Sequence, residues 1–188
     1  MKKIPTIFER DWNGDRSRVL DKAHPDCGWV FAGEGIATRK IDGTACMVRD
    51  YRLFKRRELK GDEPAPSGFE VADVDPETGK TVGWLPIGEG PEDRWHREAW
   101  TGADHWSDGT YELIGPKVQG DPEHARFHLL IKHGGGPAGP LADVPTTFDA
   151  LRDWLATQDI EGVVWHHPDG RMAKIKKRDF GLKRRPQH

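Results

Sequence analysis

The strongest constraint on the fold is a succession of short apolar runs, each cut off by glycine, proline or an acidic turn. "FAGEGIATRKIDGTACMVRDYRLFKRREL" reads as strand, loop, strand, turn and strand, with the reversal at Arg49-Asp50. "FEVADVDPETGKTVGWLPIG" alternates apolar and polar residues about "DPETGK", the pattern of a hairpin. "GTYELIGPKVQG" and "RFHLLIKHGGG" are further strands, and "IEGVVWHHPDGRMAKIKKRDF" is two strands about a Pro-Asp-Gly turn. Helical spacing occurs in "PTTFDALRDWLATQD", where Phe148, Leu151, Trp154 and Leu155 share a face behind Thr146 or Thr147 as cap. A second, shorter helix fits "GPEDRWHREAWTG". Many strands with few helices predict an α+β fold with mainly antiparallel sheets. "DEPAPSG" is a Pro-rich loop rather than a linker, so one domain over residues 1–188 is expected.

Charge narrows the partners. The net charge of -2 conceals a segregation. Residues 49–60 carry six basic side chains, residues 171–188 carry eight, and residues 61–112 carry thirteen acidic against three basic. Segregated positive charge suits a polyanion such as nucleic acid or nucleotide phosphates. Eight Trp and seven Phe require a packed core. No run approaches the ~18 apolar residues of a membrane span, and the start "MKKIPTIFERDWNG" lacks the apolar centre of a signal peptide. No membrane association and a cytoplasmic location are therefore expected. The two cysteines, Cys27 and Cys46, form no CxxC pair, which argues against a zinc ribbon or a disulfide scaffold.

Two patterns mislead. "GKT" at 79–81 looks like a phosphate-binding loop, but that loop needs glycine at 74, where this chain has Val74. Nine histidines, His166-His167 among them, lack metal-ligand spacing with Cys or carboxylate partners.

The informative pattern is one of order. Lys40-Ile41-Asp42-Gly43-Thr44 is followed by a basic strand with Lys55, Arg56 and Arg57. Then come Tyr111-Glu112-Leu113-Ile114-Gly115, Glu161-Gly162-Val163-Val164, and Lys174-Ile175-Lys176. Lys174 and Lys176, two apart, share one face of a strand. Glu112 among apolar strand residues demands a partner, because a lone buried carboxylate is costly.

This ordered set resembles the nucleotidyltransferase motifs of covalent polynucleotide ligases. It is most similar to ATP-dependent RNA ligases of the small 5′-to-3′ family, in the phrases "IPTIFERD", "KIDGTACMV", "YELIGPKVQGDPE", "HLLIKHG" and "EGVVWHHPDGRMAKIKKRDFG". The resemblance implies a nucleotidyltransferase (ATP-grasp-like adenylation) domain. It implies Lys40 as the nucleophile that forms lysyl-AMP, with Lys174 and Lys176 neutralising the α-phosphate. An amine near pKa ~10.4 is mostly protonated at neutral pH, so neighbouring cations or a metal must favour its neutral form. Asp42 and Gly43 would shape the turn presenting Lys40. Glu112 would hold the ribose, Phe127 would stack on adenine, and Glu161 would bind Mg2+ (or Mn2+). Arg56, Lys55 or Arg57 would meet the 5′-phosphate or the ribose, and strand register decides which faces the site. The RNA ends, one bearing a 5′-phosphate and the other a 3′-hydroxyl, would be held by Lys55, Arg57, Lys183, Arg184 and Arg185. Lys176 lies twelve residues from the end, so no C-terminal OB domain is expected. Competing readings are a GTP-using capping-type guanylyltransferase, a DNA ligase-like enzyme, and a non-catalytic nucleic-acid-binding domain.

Overall fold

A computed structural model describes residues 4–61, 63–75, 79–101 and 106–184. Its strands are β1 (Phe8–Arg10), β2 (Val19–Ala23), β3 (Ile36–Lys40), β4 (Thr44–Arg49), β5 (Arg52–Leu59), β6 (Glu70–Val74), β7 (Thr81–Pro86), β8 (Gly109–Ile114), β9 (Leu129–Lys132), β10 (Gly162–His166) and β11 (Met172–Lys176). Its α-helices are α1 (Gly28–Phe31), α2 (Arg94–Ala99) and α3 (Phe148–Thr157). All strand pairings between these elements are antiparallel, so the fold is α+β as the turn pattern predicts. None of the described helices is long and apolar enough to cross a membrane.

The described residues divide into two compact units, one within residues 42–133, the other of residues 4–41 and 134–184. The division falls between Ile41 and Asp42, inside the Lys-Ile-Asp-Gly motif.

The unit of residues 42–133 is a six-stranded sheet in the order β6-β7-β5-β4-β8-β9. Alternation sends Cys46, Val48, Leu53, Tyr111, Leu113 and Leu130 to one face, where they form a buried core with Ala99 and Val118. The β4–β5 reversal is made by Asp50 and Tyr51, both with positive φ (50° and 57°), one residue beyond the expected Arg49-Asp50. "GKT" lies in the β6–β7 hairpin, with Lys80 paired to Glu58 at 2.8 Å.

The other unit is built on a three-stranded sheet in the order β11-β10-β3, with β1 and β2 paired separately. Val163, Trp165, Ala173 and Ile175 line its buried face. Helix α3 packs there through Leu151 and Leu155, both wholly buried. Phe8, Phe148 and Phe180 meet edge-on, with ring centroids 5.0 to 6.2 Å apart. Thr147 is the N-cap of α3 but its side chain makes no capping hydrogen bond, so the helix depends on packing rather than on its cap. Truncating its apolar face should therefore be costly. Leu151→Ala is expected to lower the unfolding free energy by about 2–5 kcal/mol, read by denaturant titration. A cost under about 0.5 kcal/mol would mean that α3 does not cover this sheet.

Candidate active site

The site assembles from strand register. In the three-stranded sheet, Gly162 of β10 stands opposite Lys40 of β3 on one side and Lys176 of β11 on the other. The next row is Thr38, Val164 and Lys174. These rows occupy the face away from Val163 and Ile175, so both lysines of Lys174-Ile175-Lys176 lie on the side not used by the core. Gly162 is required by crowding. A Cβ there would lie 2.0 Å from the Ile175 carbonyl oxygen and 2.8 Å from the Lys176 Cα, so a larger residue would push β10 and β11 apart.

Glu161 immediately precedes that glycine. Its carboxylate accepts from Lys40 Nζ at 2.6 Å and pairs with Lys176 Nζ at 2.5 Å. The three side chains are 14 to 18% exposed, so solvent screens them weakly. Burial alone would raise the Glu161 carboxyl, but the Lys40 and Lys176 cations outweigh it and hold it below the usual carboxylate value. The Lys176 amine is held below its usual value, first by burial and then by the Lys40 charge, against the pull of Glu161. Lys40 and Lys176 thus converge on one carboxylate, and Lys174 lies on the same face of the sheet. Such a surface can receive phosphate oxygens, and Lys40 and Lys176 are both amines that become nucleophiles when neutral.

The unit of residues 42–133 holds a second polar site. Glu112 finds the partner its burial demands in His133, whose Nε2 lies 2.9 Å from Glu112 Oε2. His133 Nδ1 meets Thr110 Oγ1 at 2.9 Å, so the imidazole is fixed at both nitrogens. The sequence reading missed His133. The signal was available in its place just beyond β9, next to the strand that carries Glu112. Gly43 has no positive φ, but a Cβ there would come within 2.2 Å of the Leu113 carbonyl oxygen and 3.0 Å of Glu112 Cγ. Its role is thus close approach to the Glu112 strand. The Asp42 backbone NH donates to Glu123 Oε1 at 3.0 Å.

Register also separates the three basic candidates of β5. Arg56 stands opposite Trp84, on the sheet face that carries Ala45 and Glu112. Lys55 stands opposite Cys46 on the core face, and its ammonium is held by buried Asp93 at 2.5 Å. Arg57, on Lys55's side by alternation, pairs with Glu63. Of the three, Arg56 is the one that shares a face with Glu112. Phe127 is 69% exposed. Lys183 is exposed, whereas Arg184 is drawn to Asp159 at 3.3 Å, and Arg185 lies outside the described residues. His166 Nε2 meets Thr38 Oγ1 at 3.0 Å, and His167 pairs with Asp169 at 2.8 Å and Glu34 at 3.2 Å; among the described residues no metal-holding group of three such side chains forms. Cys27 and Cys46 are both free and buried, and burial raises both thiols, Cys27 to about 11.

Comparison with known proteins bears on this geometry. A family model described as RNA ligase 1 matches residues 99–188, the segment that carries Glu112, His133, Glu161, Lys174 and Lys176. The chain is also similar to curated proteins named RNA ligase 1. The Mus musculus protein is 24% identical over 222 aligned positions, which take in 78% of this chain and 67% of the relative. The Rattus norvegicus protein is 23% identical over the same shares. The Danio rerio protein is 22% identical, with 97% of this chain and 81% of the relative covered. Together with the motif order, these low-identity matches support an RNA ligase family for the chain.

Proposed function

We propose that the chain is an ATP-dependent RNA ligase that works through a lysyl-AMP intermediate on a nucleotidyltransferase fold. The observation that carries this reading is the Lys40–Glu161–Lys176 cluster: one nucleophilic amine held by one carboxylate beside a second cation. The similarity to proteins named RNA ligase 1 supplies the substrate class.

In the first step a neutral Lys40 Nζ attacks the α-phosphorus of ATP. The N–P bond forms, the bond to pyrophosphate breaks, and the amine's proton leaves. Glu161 Oε2 lies within hydrogen-bond reach of that proton. Lys176 opposes positive charge on its neighbour and meets negative charge growing on the phosphoryl oxygens, with Lys174 on the same face. In the second step an RNA 5′-phosphate oxygen takes the adenylyl group and frees Lys40. In the third a 3′-hydroxyl attacks that 5′-phosphorus and AMP leaves. Asp42, Gly43, Arg56, Glu112 and Phe127 remain the candidates for holding the nucleotide.

Magnesium (or manganese) would be held through Glu161. Among the described residues no three or more His, Cys, Asp or Glu side chains gather as a cage. A single carboxylate fits the ion's habit of binding through one or two carboxylates, water and substrate phosphates. When bound, it supplies positive charge against the phosphate oxygens.

The direct test is incubation with α-labelled ATP and magnesium, followed by a denaturing gel. The wild type should carry label through denaturation and Lys40→Ala should carry none, while α-labelled GTP should give little. Equal labelling of Lys40→Ala would sink the assignment.

Glu161 gives a pH test as well. Its carboxyl sits below its ordinary value of 4.5 in the fold, so its stabilising effect is complete above about pH 4.5. That effect is lost as pH falls through the depressed folded value. The stability advantage of wild type over Glu161→Gln, from denaturant unfolding, should therefore be largest near neutrality and shrink toward about pH 3. An advantage that grows on acidification would mean that the lysines do not hold this carboxylate.

A further inference from the structure

The unit of residues 4–41 and 134–188 carries a second concentration of positive charge that the lysine cluster does not use. Arg10, Arg16, Arg18, Arg178 and Lys183 line a cavity of about 470 Å³, with Asp179 as the acidic residue among them. Two of these cations are set in place from behind. Arg10 pairs with the buried Asp179 at 2.9 Å, and that carboxylate also accepts from the Lys176 backbone NH at 2.8 Å. Arg18 donates to the Arg178 carbonyl at 3.3 Å and pairs with Asp15 at 3.3 Å. The other three, Arg16, Arg178 and Lys183, are exposed and have no acidic partner among the described residues.

We propose that this cavity is a docking site for the phosphodiester backbone of a single RNA strand, an occupant that rests on the ligase reading above. Five cations against two carboxylates, Asp179 and Asp15, that are already paired to Arg10 and Arg18 exceed what a lone phosphate needs, and three surface side chains with no acidic partner among the described residues suit successive phosphates. Four of the five are arginines, whose planar forks bind phosphate oxygens in pairs. The docking site is assembled from opposite ends of the chain, which is why the charge count near the C-terminus points to Lys183 but not to Arg10, Arg16 or Arg18. Arg184, turned to Asp159, is outside it.

The test replaces Arg16, Arg178 and Lys183 together by alanine and measures binding of a 5′-phosphorylated single-stranded RNA by fluorescence anisotropy across a salt series. Thermal unfolding of the same preparations checks the fold. Each phosphate contact to a single strand contributes about 0.7 to the slope of log affinity against log salt, so losing three should flatten the slope by about 2. Affinity at low salt should fall by about tenfold or more. Arg16→Ala alone, at an exposed loop position, should act in the same direction with a slope change of about 0.7. Inorganic pyrophosphate should compete poorly with the RNA. Strong competition by pyrophosphate would make the cavity a site for a small anion and overturn the proposal. So would unchanged RNA affinity, and so would an effect confined to binding phosphatidylserine vesicles. Self-labelling of the wild type from ATP, run in parallel, keeps the two readings apart. Labelling with RNA affinity indifferent to these side chains rejects the docking site alone. No labelling, with RNA affinity that depends on them, rejects the ligase and leaves the docking site standing.

Discussion

The three-stranded sheet is organised around one carboxylate placed between two ammonium groups, and the chemistry proposed for the chain rests on them. Burying a charge is costly unless a partner meets it with good geometry. Lys40, Glu161 and Lys176 solve this together, at 2.6 and 2.5 Å, in a row fixed by the register of β3, β10 and β11. Each part of the surrounding structure serves that row. Val163 and Ile175 bury the reverse face of the sheet, α3 covers them, and Gly162 lets the two strands close to the distance the carboxylate needs. Breaking the register by one residue would turn Lys40 and Lys176 toward the core.

The unit of residues 42–133 uses the same device for a different end. Asp93 is almost wholly buried and is compensated by Lys55 at 2.5 Å and the Gly88 backbone NH at 2.7 Å. Burial works to raise that carboxyl, and these partners bring it below its usual value. Here the pair joins β5 to the segment before α2 on the core side of the sheet. The lysine is thereby removed from the surface, and of Lys55, Arg56 and Arg57 it is Arg56 that stands on the opposite face.

Much of this was legible in the sequence. Turn residues between short apolar runs marked out the β4–β5 and β6–β7 hairpins and the strand pair β10–β11, because glycine, proline and acidic residues carry a local conformational preference. The lysine and glutamate motifs were legible because each is contiguous. What depended on pairing was not. Lys55, Arg56 and Arg57 are equivalent in the sequence, and only the partners of β5 say which way each points. The β1–β2 pair and the four-residue α1 are too short to show a period. The meeting of Arg10 with Asp179, 169 positions apart, has no local signature at all. The place of His133 beside a strand was legible, but the carboxylate it meets was not.

The central claim is that the Lys40 amine, and no other group, forms the covalent bond to the nucleotide. Proteolysis and mass spectrometry of the protein after incubation with ATP and magnesium test this most directly, with the chemistry stopped under conditions that preserve a phosphoramide. The account predicts one adenylyl group, on the peptide containing Lys40 and localised to its Nζ by fragmentation. An adenylyl group on a different side chain, with the Lys40 peptide unmodified, would contradict it.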